Sequence, residues 1–406
     1  MAALTEFDVV DLAQSLIDID STTPREGQVV RWLAAWLRGR GYNVEEQPVE
    51  GDRMNLIVTV GAEAARIVLS THLDCVPPFF PSRLEGNLLY GRGACDAKGI
   101  AAAQIGALEQ LRAAGETRVG ALFVVGEERG SHGAHAANRT PRGSTYLVDG
   151  EPTDNRLGLA TRGVYRVRLE ASGRAAHSSH PEEGESAIEK LLDALVALRS
   201  IELPADPTLG RTNYTVAMLE GGVAPNVVPP HASAEVNFRI VGPSHDLRAV
   251  LQPLTTWVTI EDVVEVPPVR MATVPGFETA VFPFTTDIPF LDAWGDPLLF
   301  GPGSVLVAHT DDEHVRIDDL RAATDHYARI ATANIHIMIV GSDIQIEIAS
   351  KTFGLINLFT DYYTFFFSPC FHSIMLCIKS RRQIIINNII FLFLFGFVRN
   401  PIKRRW

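Results

Sequence analysis

Arg66-Ile-Val-Leu-Ser-Thr-His-Leu-Asp74 is a short β-branched run that ends in an imidazole and a carboxylate two residues apart. An apolar run of this length reads as a buried strand. In extended chain, residues i and i+2 share a face. His72 can therefore hold a metal while Asp74 hydrogen-bonds its other ring nitrogen. Taken alone, the segment also fits an ordinary strand-to-loop turn. Outward from it, the pattern recurs. Residues 119–125 and 146–148 are further buried runs, and residues 7–19, 29–40 and 100–114 carry helical spacing, the last two closed by Gly41 and Gly115. Apolar strands alternating with helices predict an α/β fold with a mostly parallel central sheet.

The texture changes near residue 162. Residues 164–170, 213–220 and 232–241 alternate apolar and polar side chains, as half-exposed antiparallel strands do, and residues 187–198 form an amphipathic helix. With a further helix around 247–257, this predicts a small α+β domain over 162–270, inserted into an α/β domain made of 1–161 and 271–335. The α/β part closes with an amphipathic helix over 317–330. Beyond about residue 335, Ala almost vanishes while Ile, Phe and Asn become dense. Residues 384–398 are apolar, yet shorter than the roughly 20 residues a membrane-spanning helix needs. A membrane anchor, an extra structural element and a non-native segment compete for 336–406. The abrupt compositional shift favours the last, so this tail is expected to lie outside the fold.

The chain has 406 residues and a formal net charge of −12, which disfavours nonspecific binding to nucleic acid. Its 4 cysteines form no C-x-x-C pair and no disulfide scaffold. The N-terminus is acidic and amphipathic and lacks the basic and apolar regions of a signal peptide. A cytoplasmic protein is the expectation.

Four more segments carry chemistry. Gly91-Arg-Gly-Ala-Cys-Asp-Ala-Lys-Gly99 surrounds Asp96 with glycines and opens the Ala-rich helix. A carboxylate there could bridge two cations. A bland Gly-rich turn is the rival, whereas a phosphate loop has the wrong spacing. Glu127 and Glu128 follow the 119–125 strand. Neighbouring side chains in extended chain diverge, so one can ligate metal while the other serves as general base; a solvated acidic loop is the rival. Asp149 follows the 146–148 strand, and His309 lies in a loop before the last helix. Four of these sites fall at the C-terminal ends of strands, where open α/β sheets place their active sites. Two histidines and three carboxylates suit a pair of zinc ions.

With these motifs the chain resembles the acetylornithine deacetylase and succinyl-diaminopimelate desuccinylase family, which also includes glutamate carboxypeptidase and aminoacylase. The resemblance covers most of 5–332. It rests on Ser70-Thr-His-Leu-Asp74 with Val76-Pro-Pro78, Tyr90-Gly-Arg-Gly-Ala-Cys-Asp-Ala-Lys-Gly99, Gly126-Glu-Glu128, Asp149-Gly-Glu-Pro-Thr153, Ala176-His-Ser-Ser-His-Pro181, Pro225-Asn-Val-Val-Pro229 and His309-Thr-Asp-Asp-Glu-His314.

The resemblance implies a zinc-peptidase-like catalytic domain with two Zn2+ per subunit, for which Co2+ can substitute. Asp96 would bridge them, with His72 and Asp149 on one side and Glu128 and His309 on the other. Glu127 would be the base and Asp74 the partner of His72. The family's non-proline cis peptide would fall at Asp96–Ala97. The insert would be a dimerisation domain, and its His177 would stabilise the oxyanion in the other subunit of a homodimer. Asn226 and Arg239 would hold the substrate. The loop with Gly301 and Gly303 would meet the substrate's carboxylate.

The implied reaction is hydrolysis of an N-acyl amino acid by metal-activated water, as in arginine biosynthesis. A dipeptidase or carboxypeptidase reaction is the second choice. An inactive relative acting as a binding protein is the rival from another class. Between Pro78 and Tyr90 the chain is shorter than the longer members of the family, which weakens any assignment of substrate.

Overall fold

The computed structural model describes residues 7–341 and two short strands, Tyr363–Phe367 and Ile374–Ile378. One compact unit runs to Ile335. The remainder forms a separate unit, in which those two strands pair antiparallel. The apolar stretch at 384–398 lies outside the described residues.

The centre of the first unit is a six-stranded sheet. Its spatial order is Asn43–Glu50, Arg53–Thr59, Val119–Val124, Ile67–His72, Tyr146–Asp149 and Asp296–Leu299. The last four run parallel to one another. The first two form an antiparallel hairpin, and Arg53–Thr59 also runs antiparallel to Val119–Val124. The sheet is therefore mixed rather than simply parallel. A connection of two residues, with Gly51 at φ 59°, can join only antiparallel neighbours.

Helix Lys98–Ala113 packs against the sheet and is buried along most of its length. Its alanines allow that close approach, while Gly106 lets the closing helix come near: a Cβ there would lie 2.8 Å from the Thr324 side chain. Helix Val9–Ile17 is capped by the Asp8 carboxylate, which accepts from the amides of Val10 (2.7 Å) and Asp11 (3.2 Å), and it buries Leu12, Leu16 and Ile17 in the same core.

The insert has its own core. Strands Asn213–Gly221, His231–Ile240, Gly163–Ser172 and Thr259–Val266 form an antiparallel sheet in that order. Tyr165, Val167, Leu169, Val236 and Phe238 project from one face of it onto Leu191 and Leu198 of helix Ala187–Leu198 and Leu247 of helix Ser244–Leu251. The fourth strand, Thr259–Val266, was not expected from the sequence, although Thr-Ile-Glu-Asp-Val-Val-Glu-Val carries strand-forming residues throughout. The closing helix, Ile317–Gly341, is longer than expected. Among the described residues, no helix is long and apolar enough to cross a membrane.

Candidate metal centre

Three adjacent parallel strands deliver most of the site. His72 is the last residue of the central one. The Gly126–Glu128 turn follows its neighbour on one side, and Asp149 ends its neighbour on the other. Asp96 enters from the loop that precedes helix Lys98–Ala113, and the Asp96–Ala97 peptide is cis. His309 comes from the loop before the last helix, with φ 64°.

The Asp96 carboxylate stands between two imidazoles. Its Oδ1 is 3.0 Å from His72 Nε2, and its Oδ2 is 3.2 Å from His309 Nε2. His309 Nε2 also lies 2.9 Å from Glu128 Oε1. Two groups of potential ligands share Asp96: one is His72, Asp96 and Glu151, the other Asp96, Glu128 and His309. In each group the ligand atoms lie within 4.8 Å of one another.

Asp149, expected as a ligand, is in neither group, and Glu151 stands beside His72 and Asp96 instead. The strand ends at Asp149. Gly150 is pressed against Ile100, Gln104 and Tyr327, so closely that a Cβ there would lie 2.4 Å from the Ile100 side chain. Only after this contact does the chain bring a carboxylate up to His72 and Asp96. Asp149 is buried beneath, beside Thr286 and Asp287. Burial, then the charge of Asp287, pushes its carboxyl up to about 7. Asp287, which was not expected to belong to the site, is pushed up to about 6, chiefly by burial.

Asp74 does more than stand beside His72. His72 Nδ1 is closest to the Asp74 carbonyl oxygen, at 3.0 Å, with the carboxylate at 3.5 Å. The carboxylate also accepts from the amides of Gly126 (2.8 Å), Glu127 (3.1 Å) and Glu128 (3.1 Å) and from the Thr23 hydroxyl (2.8 Å). It holds the turn that carries both glutamates, and these bonds and His72 keep its own carboxyl low despite burial.

The electrostatics fit cations. Burial raises Glu127 and Glu151 well above the ordinary carboxylate range, and raises Glu128. Burial disfavours the charged form of His72, yet its hydrogen bonds to Asp74 and Asp96 hold it well above its usual value. The carboxylates of Asp96 and Glu128 push His309 up to about 10. Carboxylates thus outnumber the imidazoles in a mostly buried site, a charge imbalance that two divalent cations would neutralise. Two imidazoles with three carboxylates, one of them shared, is a donor set that suits such a pair. Glu127 belongs to neither ligand group, which leaves it free to act as a base.

The residues of the insert belong to neither ligand group. His177 pairs with Val227 as an isolated bridge, and its Nδ1 is 2.7 Å from Ser179 Oγ. The amide of Ser178 donates to the Asn226 carbonyl at 3.0 Å, so His177 and Asn226 are neighbours on an exposed loop pair. Arg239 lies on the sheet face opposite the insert's helices. It is half-buried, and among the described residues it has no acidic partner; burial alone pulls its pKa down.

The backbone of Gly301 is already used. Its N–H donates to Thr153 Oγ1 at 2.9 Å, and its carbonyl accepts from the amides of Thr153 and Asn155. Its N–H, at least, is therefore engaged within the protein. A Cβ on Gly301 would lie 2.4 Å from the Glu151 carbonyl oxygen, and one on Gly303 2.5 Å from Cys95 Cβ. These glycines let the 301–304 loop press against the segments that carry Glu151 and Asp96. Cys75 and Cys95 are buried and unpaired, as expected of small residues in a crowded site.

Residues 68–333 match the model of peptidase family M20/M25/M40. A peptidase M20 domain-containing protein of Schizosaccharomyces pombe is 36% identical over 339 residues, covering 80% of this chain and 85% of its own. A probable carboxypeptidase of Aspergillus clavatus is 35% identical over 366 residues, covering 79% of this chain and 81% of its own. Among solved structures, a dinuclear metal-binding peptidase of this family from Bacillus subtilis superimposes with a TM-score of 0.62 at 15% identity, over 81% of this chain and 98% of that one. At that identity the likeness speaks to the fold.

Proposed function

Since the chain belongs to peptidase family M20/M25/M40 and is a metal-dependent hydrolase, we propose that it cleaves the amide bond of a short peptide with a free C-terminal carboxylate, as a carboxypeptidase or dipeptidase, using two zinc ions. The observation that carries this reading is the shared Asp96, whose two oxygens face His72 and His309 separately. One ion would be held by His72, Asp96 and Glu151, the other by Asp96, Glu128 and His309. When bound, such a pair acidifies water and polarises the scissile carbonyl.

Glu127 takes the proton of the attacking water and delivers it to the leaving amine nitrogen. Burial raises its carboxyl, which makes it the stronger base. Arg239 is the anion-binding side chain, a half-buried guanidinium without an acidic partner among the described residues. Asn226 and Gly303 line the substrate's path.

The partner subunit's His177 completes the oxyanion site in a homodimer. Support for a dimer comes from the insert's edge strand, Asn213–Gly221, which exposes Val216, Met218 and Leu219, while the nearby helix exposes Leu192 and Val196. An unpaired edge with apolar side chains is a surface for pairing with a second copy. Light scattering that returns a monomer at micromolar concentration would remove this part of the reading.

The sequence put N-acyl amino acids first and peptides second. The description of the Aspergillus clavatus relative as a carboxypeptidase supports the opposite order. Both substrates end in a carboxylate that Arg239 can hold, so the experiment must vary the other side. The purified protein, with and without chelator, is offered N-acetyl and N-succinyl amino acids, dipeptides and tripeptides. Chelator-sensitive turnover of peptides is expected to exceed that of the acyl compounds. Preference for the acyl compounds would restore the deacylase reading, and turnover indifferent to chelator would sink both.

A further inference from the structure

The segment that supplies His309 also carries a carboxylate that the reaction above does not use. Glu313 is completely buried. Its Oε1 accepts from the amides of Gly93 (2.9 Å), Asp96 (3.2 Å) and Cys95 (3.3 Å), and its Oε2 accepts from Arg92 Nη1 at 2.5 Å. The amide of Gly91 donates to its carbonyl oxygen at 3.1 Å. Four of the six amides from Gly91 to Asp96 are thus turned onto one residue from the opposite end of the domain. The loop can wrap so tightly because Gly93 sits at φ 93°, where a Cβ would lie 2.9 Å from Cys75 Sγ.

Asp74 plays the same part on the other side, where it gathers the amides of Gly126, Glu127 and Glu128. Each of these buried carboxylates comes from a segment that carries an imidazole and holds a loop that carries a carboxylate ligand. The His72 segment holds the Glu128 turn, and the His309 segment holds the Asp96 loop. The two ligand groups are cross-tied through the main chain.

We propose that Glu313 is a positioning residue that fixes the Asp96 carboxylate between His72 and His309, and thereby sets the affinity for both metal ions. Buried N–H groups that lose a charged acceptor must find another, and the only freedom left to this loop is to shift. Such a shift moves the one carboxylate that both ligand groups share. Glu313 touches neither ligand atoms nor substrate, so it acts through Asp96 alone. The proposal rests on the two-metal reading of the site.

The test compares the full-length zinc-loaded protein with its Glu313→Gln and Glu313→Asp variants. Each is titrated with a chromophoric zinc chelator, alongside kcat and KM with the best peptide substrate at increasing zinc. Glutamine presents an N–H either to Arg92 or to the loop amides, so it cannot satisfy both. Its zinc affinity is expected to fall about 10- to 100-fold at both sites, the range for loss of a group that orients a ligand. Its kcat should recover as zinc is raised, with KM unchanged. The shorter Asp keeps the charge and is expected to fall between the two.

A purely structural ion pair would instead lower the melting temperature of the chelator-stripped protein and leave zinc affinity within about two-fold of the parent, and that result overturns the proposal. If Glu313→Gln does not fold, the same two-fold threshold is applied to Glu313→Asp. If the unmodified protein binds no zinc, the two-metal reading fails with it. If the unmodified protein binds zinc and the variants match it, only the role of Glu313 fails.

Discussion

Replacing Asp74 by asparagine keeps the shape of the side chain and removes its charge, which makes the cost of the turn at Gly126–Glu128 measurable. In the protein, Oδ1 accepts from the amides of Gly126 and Glu127, and Oδ2 from the amide of Glu128 and the hydroxyl of Thr23. An asparagine has a single oxygen. In its better orientation that oxygen serves Gly126 and Glu127, and its amide nitrogen faces the Glu128 N–H. One buried donor is then left unsatisfied, at about 1–3 kcal/mol. The two retained bonds become neutral, and since charge-assisted bonds are roughly twice as strong, each loses about 1 kcal/mol. The Thr23 hydroxyl can turn to accept from the new amide and adds little.

The sum is about 3–5 kcal/mol, a large share of the roughly 5–15 kcal/mol that holds a typical domain folded. Urea unfolding of the chelator-stripped protein should show this as a lower midpoint at unchanged slope. The zinc-loaded protein should also release metal about 10- to 100-fold more readily, because the turn carries Glu128. A loss under about 1 kcal/mol with unchanged metal affinity would mean that the turn does not depend on Asp74.

Two further outcomes follow from the site. Glu151→Ala should bind one zinc fewer by elemental analysis, whereas Asp149→Asn should keep full occupancy; the reverse pattern would reinstate Asp149 as the ligand. The chelator-stripped protein should lose stability as pH rises. Asp149 and Asp287 are raised from about 3.8 unfolded to about 7 and about 6 folded, and His309 from about 6.5 to about 10. In all three the folded state binds more protons than the unfolded state, so their contribution is fully present below the unfolded value and fades as pH passes the folded one. Between pH 5 and 8.5 the melting temperature of the stripped protein is expected to fall, and a flat or rising profile would contradict the shifts.

His72, Glu127 and Glu128 stood out as candidates in the sequence because each follows a run whose burial is written in its composition, and Asp96 because glycines crowd around it. His309 had no such run and was placed by resemblance. That Glu151 rather than Asp149 stands with His72 and Asp96 has a reason visible in two short segments. In His72-Leu-Asp74 the ligand comes first and its supporting carboxylate two residues later. In Asp149-Gly-Glu151 the order is inverted, and the sequence reading stopped at the first carboxylate after the strand.

The hairpin at Asn43–Glu50 was missed because Asn-Val-Glu-Glu-Gln-Pro-Val-Glu is charged and holds a proline, as befits an edge strand. Glu313 could not have been found. Nothing in His-Thr-Asp-Asp-Glu-His separates the one glutamate that is swallowed whole from the exposed aspartates beside it. Only the return of that segment beside Leu88–Tyr90, where His314–Arg316 pairs with it, brings the carboxylate to the glycine loop.

The spacing of the shared ligand and its second imidazole also orders events in time. A chain leaves the ribosome N-terminus first, at about 5–20 residues per second. Asp96 and its neighbours emerge early, with the glycine loop still lacking the acceptor that shapes it. His309 and Glu313 arrive together, near the end of the domain. Until they do, the nascent protein would lack one imidazole of the proposed site, and a second ion would have none to receive it. On the proposed two-metal reading, loading of the full pair would be deferred until the last segment is seated, and the metal centre would record that synthesis of the domain has finished.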